Sequence, residues 1–489
     1  MKANLIILYA WLLELSRKVL MYSDDSMKLI FLPGFEKLRA FNGKIKMKAE
    51  YLKAVKYVPA YRQLKLQQDD CADNRIPETS KNSFVKKFSI SDRCVGGMIP
   101  SKGIIIDESS GSSGIPTNWV RGRRERQVNK RFIQFGINRL FGKKEKIMIN
   151  AFAMGSWATG INVSMASSAF SRVKSTGPEV DKIENTIRHF GTKEEYIVLG
   201  YPPFLKYFVD TTTLDLEQYC IHFIMGGEAM SEGLREYLQA KGIQKVISSY
   251  GASDLELNIG SENEFTINLR KLLIKEASLR KDLLIEHQNI PMIFQYNPAD
   301  FYIETNAQDE LLISVCRAGY VAPKIRYNIK DKGQTLANSQ LMKQLKEHQI
   351  NPKTLGHCPS DLPFLFHFGR SDQAVSFFGA NISPSNIEDV IFHIPKIAES
   401  VHSFCITTQE DAQANKQLYI HLESTNGFLA FQAGALRKEF FEMLAKINQD
   451  FREALRMLPF QQQPQLRLHR FGEGPFQNKD LRIKTAYIQ

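Results

Sequence analysis

Nine consecutive residues, Ser109-Ser110-Gly111-Ser112-Ser113-Gly114-Ile115-Pro116-Thr117, combine hydroxyl side chains with two glycines. Glycine lets backbone N–H groups turn inward and each hydroxyl adds a donor, so such a loop can cradle phosphate oxygens at a helix amino terminus. It lacks the Gly-Lys-Ser/Thr ending of the common P-loop, and the same composition also suits a flexible surface loop. A second group is Tyr250-Gly251-Ala252-Ser253-Asp254. Here an aromatic face can stack on a base, a hydroxyl can reach a phosphate, and a carboxylate can hold Mg²⁺. Gly226-Gly227-Glu228 precedes it by about twenty residues, and each of the two groups reads equally as a turn. Asp331 offers two acceptors of the kind that hold a ribose diol, or else a surface ion pair with Arg326 or Lys330. Farther on come Gly369-Arg370-Ser371-Asp372, residues 379–388, and Lys484 in the closing segment 481–487.

The elements that must position these groups alternate. Residues 103–106 read as a strand, followed by the glycine-serine loop and then a helical stretch with Val128, Phe132 and Phe135 on one face. Residues 220–225 read as a strand, 231–241 as a helix that Gly242 can cap, and 246–249 as the next strand. Strand, helix and strand in about thirty residues is a βαβ unit, which requires a parallel or mixed sheet covered by helices. The Tyr250 group then falls at a strand's carboxyl end, where open α/β sheets bind ligands. Residues 301–304 and 310–316 form a hairpin-like pair around 306–309, whereas 332–360 read as polar and irregular. Beyond Gly369 the spacing predicts a hairpin at 375–381, a helix from Pro384, strands at 403–408 and 417–423, and a long helix over 428–456. The fold class is therefore α/β. A large amino-terminal domain, 1–371 with a helical lead-in over 1–54, precedes a small α+β domain, 372–489.

Composition sets the outer limits. The chain has 489 residues, 43% of them hydrophobic, enough for two or three domains and too many for a disordered polymer. No 18-residue uncharged apolar run is present, so stable membrane insertion is not expected. Lys2 followed by an apolar run over 5–13 imitates a signal peptide, yet Glu14 ends the run and no small-x-small cleavage site follows. The segment reads as an amphipathic helix covering a core, with weak membrane association as the other reading. Six scattered cysteines without a C-x-x-C pair speak against a disulfide scaffold and a structural zinc site, and for a reducing, cytoplasmic setting. The net charge of +12 is partly local: residues 121–146 hold ten Lys or Arg against two Glu. Such a stretch can meet nucleic acid, an anionic membrane or phosphorylated small molecules, or be a solvated helix face. No nucleic-acid recognition motif is present.

Taken in order, the groups resemble the adenylate-forming (ANL) superfamily, and within it the phenylacetate–CoA ligase-like branch. That branch shows a Ser/Thr-Ser-Gly-Ser/Thr-Thr-Gly-x-Pro loop, then Gly-Gly-Glu, then Tyr-Gly-x-Ser/Thr-Glu. A Glu-Leu-x-x-Thr segment, Pro-x-Ile-Arg-Tyr-x-x-x-Asp, Gly-Arg-x-Asp and Gly-x-Asn-x-x-Pro-x-x-Ile-Glu follow. The matches here are residues 109–116, 226–228, 250–254, 310–314, 323–331, 369–372 and 379–388. Upstream, residues 59–62 and 76–81 resemble the branch's early segments, so the likeness spans roughly 55–488. The departures are Ser113 for Thr, Ile115 for a polar residue, Asp254 for Glu and Lys330 for a frequent Gly. A Gly-Lys pairing near the end is also missing, which leaves Lys479 as a rival to Lys484.

The resemblance implies a two-step reaction. A carboxylate attacks the α-phosphorus of Mg·ATP to give an acyl-adenylate and pyrophosphate, and a nucleophile, usually the coenzyme A thiol, then displaces AMP. It assigns Ser109, Ser110, Gly111, Ser112, Ser113, Gly114 and Thr117 to the ATP phosphates and Asp254 to Mg²⁺; with Asp in place of Glu there, either the metal geometry shifts or Glu256 contributes. Gly227, Glu228, Tyr250, Gly251, Ser253, Asp331 and Arg370 go to adenine and ribose, with the Tyr250 face on the base. Lys484 is the catalytic cation and Asp372 the hinge about which the small domain swings. Phe152, Trp157 and Tyr201 fall in segments resembling acyl-pocket walls, and equally suit a core. Coenzyme A phosphates on the basic stretch 121–146 are a further expectation. The expected partners are a small carboxylic acid and nucleotides. An amide- or ester-forming synthetase with another acceptor, and a non-catalytic binding protein on a decayed ligase fold, are the competing readings.

Overall fold

The computed structural model describes residues 3–70, 75–108, 117–155, 158–285, 290–358, 360–371, 375–377, 380–410, 416–424, 433–448, 451–452, 455–456, 463–477 and 488. A large mixed sheet is its spine. From one edge the strands run Phe301–Thr305, Glu310–Val315, Tyr327–Leu336, Phe364–Arg370, Met292–Tyr296, Gly260–Ser261, Lys245–Tyr250, Cys220–Gly226, Glu195–Gly200, Ile147–Asn150 and Arg172–Ser175. The last five are mutually parallel and the rest of this path is antiparallel. The βαβ unit read from the sequence is present as Cys220–Gly226, the helix Glu232–Ala240 and Lys245–Tyr250. Ser231 caps that helix by accepting from the Leu234 N–H at 3.0 Å. Strands buried on both faces need apolar side chains throughout, and Glu195–Gly200 is buried at every position.

A glycine-serine loop between a strand and a helix is not what forms. Ile104–Glu108 pairs antiparallel with Asn118–Gly122, Glu108 opposite Asn118, so residues 109–117 connect the two arms of a hairpin. The helix Arg123–Phe141 starts only after the second arm, and a helix-terminus phosphate site does not arise there. Trp119 and Val120, aromatic and β-branched, carry the strand preference that the helical periodicity from Val128 onward obscured. The stretch 332–360 is also more ordered than its polarity suggested: Tyr327–Leu336 is strand, and Asn338–Glu347 is a helix burying Leu341 and Leu345.

Residues beyond the large sheet share an apolar core of their own, built from Phe377, Ile387, Val390, Ile406, Ile420, Phe440 and Leu444 among others. The hairpin Val375–Phe377/Ala380–Ile382, the helix Pro384–His393, the strand pair Val401–Glu410/Lys416–Ser424 and the parallel strand Gln465–Arg470 supply it. The helix expected over 428–456 is described as Ala433–Ile447 and stops where Asn448 turns its side-chain oxygen to the Phe451 N–H at 2.9 Å. Ile488 bridges to Ile406, which seats the far end of the chain on this smaller sheet. The small module rests on the large one where the helices Pro384–His393 and Glu232–Ala240 cross: a methyl at Gly233 would sit 2.4 Å from Phe392 Cβ. Beside that crossing, Lys206 Nζ donates to the Val401 carbonyl at 3.0 Å.

The first helix, Ala3–Leu20, does not cover a core with its apolar stripe. Its inward face is Ala10, Glu14 and Arg17, and Leu5, Leu8, Trp11, Leu12, Leu15 and Val19 face outward. Glu14 Oε1 lies 2.6 Å from Lys46 Nζ, Arg17 pairs with Glu14, and Arg17 also lies 3.5 Å from Asp300. Burial pushes the Glu14 carboxyl up, and Lys46 and Arg17 more than reverse that, leaving it below the ordinary range. A buried charge that loses its partner costs several kcal/mol, so this network fixes the rotation of the helix.

Candidate functional site

Strand ends and the segments that follow them build the site. Tyr250, the last residue of Lys245–Tyr250, donates its hydroxyl to Asp331 Oδ2 at 2.7 Å, across from the strand Tyr327–Leu336. His367 on the neighbouring strand Phe364–Arg370 places Nε2 3.2 Å from the same oxygen, and Arg370 sits directly opposite Asp331 in the register. Burial drives the Asp331 carboxyl up, but His367, the Tyr250 hydroxyl and Arg370 outweigh it and hold the group below its ordinary value. The Tyr250 phenol is pushed far upward by burial and by Asp331, so it stays a donor. Its ring is 7% exposed and packs on Phe294 at 5.6 Å and on His367 at 4.9 Å. The base-stacking role read from the sequence is therefore replaced by a positioning one, because the ring is spent on the core and only the hydroxyl is directed. His367 was missed by the sequence reading, and its signal is its place two residues before Gly369 on the strand that pairs with Asp331.

Gly251 follows at a point where a side chain has no room, since its Cβ would lie 2.1 Å from the Leu257 carbonyl oxygen. The tight turn closes through Ala252 N–H to the Glu256 carbonyl at 2.8 Å and turns Asp254 toward the hairpin. Trp119 Nε1 donates to Asp254 Oδ1 at 2.8 Å and the Tyr327 hydroxyl donates to Oδ2 at 3.1 Å. Each oxygen keeps a further lone pair, which suits a divalent ion that takes most of its oxygens from phosphate and water. Of the two alternatives left by the shorter Asp254, a contribution from Glu256 is the one its partners disfavour. Glu256 is fully buried and accepts from Arg121, Asn129 and the Tyr320 hydroxyl, and although burial works to raise it, Arg121, Lys324 and Arg317 keep it below its ordinary value.

That carboxylate belongs to a buried polar frame beneath the hairpin. Arg121 Nε donates to Asp107 at 2.5 Å and its Nη2 to the Ser253 carbonyl at 2.6 Å, so the base of the loop is tied to the Tyr250–Asp254 turn. Lys324 lies over the Trp119 ring at 5.0 Å and makes no hydrogen bond among the described residues. Burial and Arg121 bring its ammonium down to about 8. Residues 121–146 are consequently not one basic face. Arg121 and Lys146 are buried, while Arg123, Arg124, Lys143 and Lys144 are exposed. At the opposite, amino-terminal edge of the sheet, Glu195, Cys220 and His222 bring ligand-type atoms within 4.8 Å of one another, with the Lys146 ammonium 3.5 Å from Glu195.

Between the sheet and the helices Arg123–Phe141 and Ala158–Ser167 lies a cavity of about 140 Å³. Phe152, Tyr201, Gly227, Gly251 and Ser253 line it together with Glu108, the last described residue before the loop. Its apolar walls include Ile137, Val163, Leu199 and Ile224, which the sequence reading did not single out because they belong to several separate elements. Phe152 and Tyr201 meet edge to face at 5.0 Å, and burial with Glu228 nearby lifts the Tyr201 phenol to about 12. Asp254 and Asp331 do not line this cavity; they stand behind the 251–253 turn that does. Thr117 is buried where the second arm of the hairpin begins. Ser109, Ser110, Gly111, Ser112, Ser113, Gly114, Trp157, Asp372, Lys479 and Lys484 lie outside the described residues.

No family model matches the chain, and no curated protein matches it in sequence. Solved structures do match. A 2-hydroxyisobutyryl-CoA ligase in its postadenylation state, in complex with 2-HIB-AMP, superposes with a TM-score of 0.65 at 15% identity, over 94% of this chain and 90% of that one. The chain shares the fold of that ligase. The same ligase in its thioesterification state, in complex with 2-HIB-AMP and CoA, gives a TM-score of 0.51 at 13% identity, with 94% and 90% covered. The likeness in fold thus extends over both the large sheet and the small module.

Proposed function

We propose that this chain is an AMP-forming acid–thiol ligase of the phenylacetate–CoA ligase-like kind. It activates a hydrophobic carboxylic acid with Mg·ATP and passes the acyl group to coenzyme A in the cytoplasm. The observation that carries the reading is the Tyr250–Asp331–His367 cluster, where the end of one strand meets the middle of two others. It stands next to an apolar cavity lined by two of the three acyl-pocket candidates, Phe152 and Tyr201. Adenylation joins two anions, so its barrier falls when cations and fixed donors meet the charge that grows on the phosphoryl oxygens.

In this reading Asp331 accepts from the ribose hydroxyls, and Tyr250 and His367 keep its carboxylate ionised and aimed. Gly227, Glu228, Gly251, Ser253 and Arg370 complete the nucleotide wall. Asp254 holds Mg²⁺, which supplies charge neutralisation on the phosphates. The 109–114 hydroxyls and Thr117 cradle the β- and γ-phosphates, and the buried Arg121 frame ties the arms of the hairpin to the Tyr250–Asp254 turn. Phe152, Trp157 and Tyr201 enclose the acid. Lys484 is delivered by the small module, 372–489, which turns about Asp372 after adenylation.

Pyrophosphate exchange across a library of acids tests the first step whatever the acceptor, and no exchange with any acid overturns the reading. A product assay with coenzyme A against a panel of amines tests the second. Lys484→Ala is expected to abolish exchange while sparing thioester formation from a supplied acyl-adenylate, and Lys479→Ala to leave both intact. Equal loss of both half-reactions in Lys484→Ala removes that assignment.

A further inference from the structure

Half of the large apolar side chains that the described residues expose fall between Leu5 and Phe41, less than a tenth of the chain. Leu5, Leu8, Trp11, Leu12, Leu15 and Val19 form one stripe of the first helix, each 47–67% exposed. Leu32, Phe35, Leu38 and Phe41 continue the apolar surface from the next turn and helix, and Tyr9 joins the two by meeting the Phe41 ring at 6.4 Å. A contiguous apolar surface of this kind marks an interaction site.

The first helix cannot roll to hide its stripe. Its opposite face is committed to the Glu14–Lys46–Arg17–Asp300 network, and rotation would strand buried charges. A helix apolar on its outer face and ionically locked on its inner face is built to present that outer face.

We propose that this amino-terminal unit docks the protein on an anionic lipid surface, lying in the interface without crossing it. Three observations select a bilayer over a protein partner. The apolar side chains come from two helices and the turn between them rather than from a groove or a single heptad seam. Trp11 and Tyr22, aromatic side chains with a polar tip, belong at a headgroup boundary. The exposed charges of the unit are also one-sided: Lys18, Lys28, Lys37 and Lys44 are exposed against Asp25, which already pairs with Lys28 at 2.7 Å. Among the described residues no helix is long and apolar enough to cross a membrane, which fits a unit that lies on the surface.

The test uses the full chain with vesicles of phosphatidylcholine, alone or with a quarter phosphatidylglycerol. Co-sedimentation with the anionic vesicles and a blue shift of tryptophan emission are expected. In Trp11→Phe the shift should vanish while sedimentation persists. The triple variant Leu8→Glu, Leu12→Glu and Leu15→Glu changes exposed positions only and should keep its circular dichroism while its vesicle partition falls at least roughly tenfold. Ile274→Glu, an exposed apolar site elsewhere, should sediment like the parent. No sedimentation by the parent, or undiminished sedimentation of the triple variant, overturns the proposal. So does a parent dimer in light scattering that the triple variant splits, since the face then belongs to a second copy.

Discussion

Lys330 shows how one backbone angle explains a departure from a motif. Its φ is +71°, in the left-handed region that glycine enters freely and other residues enter at a cost. The side chain reaches Glu310 at 3.0 Å, an ion pair whose lysine is 48% exposed and therefore adds little stability. Lys330→Gly is accordingly expected to stabilise the fold by about 1 kcal/mol, read as a rise in Tm, with pyrophosphate exchange unchanged. Tyr250→Phe works in the other direction. It removes the hydroxyl that helps hold Asp331 ionised but leaves the ring packing on Phe294. A higher KM for ATP, by about tenfold, together with a modest fall in Tm is expected, because one hydrogen bond to a charged group is lost. A fall in Tm with KM unchanged would make the contact merely structural.

Among the elements, the crossing of Glu232–Ala240 with Pro384–His393 is the most exacting. Gly233 permits it, as a methyl there would overlap Phe392 Cβ at 2.4 Å. Gly233→Ala should push the helices apart and undock the small module, seen as a larger radius of gyration in small-angle scattering and slower adenylation. Adding Phe392→Ala opens the space again, so the double variant should recover most of the compactness. If both variants behave alike, the crossing is not what holds the module. The hairpin Ile104–Glu108/Asn118–Gly122 makes a complementary point. Its tip bears the candidate phosphate loop, and its arms are fixed by Arg121 to Asp107 and by Trp119 to Asp254, so the loop is anchored at its base whatever its own conformation.

At the scale of the whole molecule, the contact between module and body carries a titratable group. Burial and the adjacent Asp389 lift the Glu388 carboxyl to about 8, against the opposing pull of Arg270. A carboxyl raised on docking binds its proton more tightly docked than free. Docking strength is thus fully present below the free value of 4.5 and is lost as pH climbs toward about 8. Limited proteolysis between modules should accelerate over that window, and Glu388→Gln should flatten the dependence. An unchanged profile in Glu388→Gln would place the titration elsewhere.

The order of the candidate groups along the chain and the fold class that carries them were legible in the sequence. The Gly226–Glu228 and Tyr250–Asp254 groups, Asp331 and the Arg370 segment could be read because strand ends and turns impose local residue choices. The central βαβ unit was legible for the same reason, since its hydrophobic period is local. What the sequence left open depends on contacts between distant positions. Asp254 meets Trp119 across 135 residues and Tyr250 meets Asp331 across 81, and no periodicity links such pairs. The same cause reversed the first helix. Its apolar pattern alone calls for burial, but two charged partners, Lys46 and Asp300, hold its other side inward. Local spacing decides which groups a strand or helix can offer; only packing decides which side of it is used.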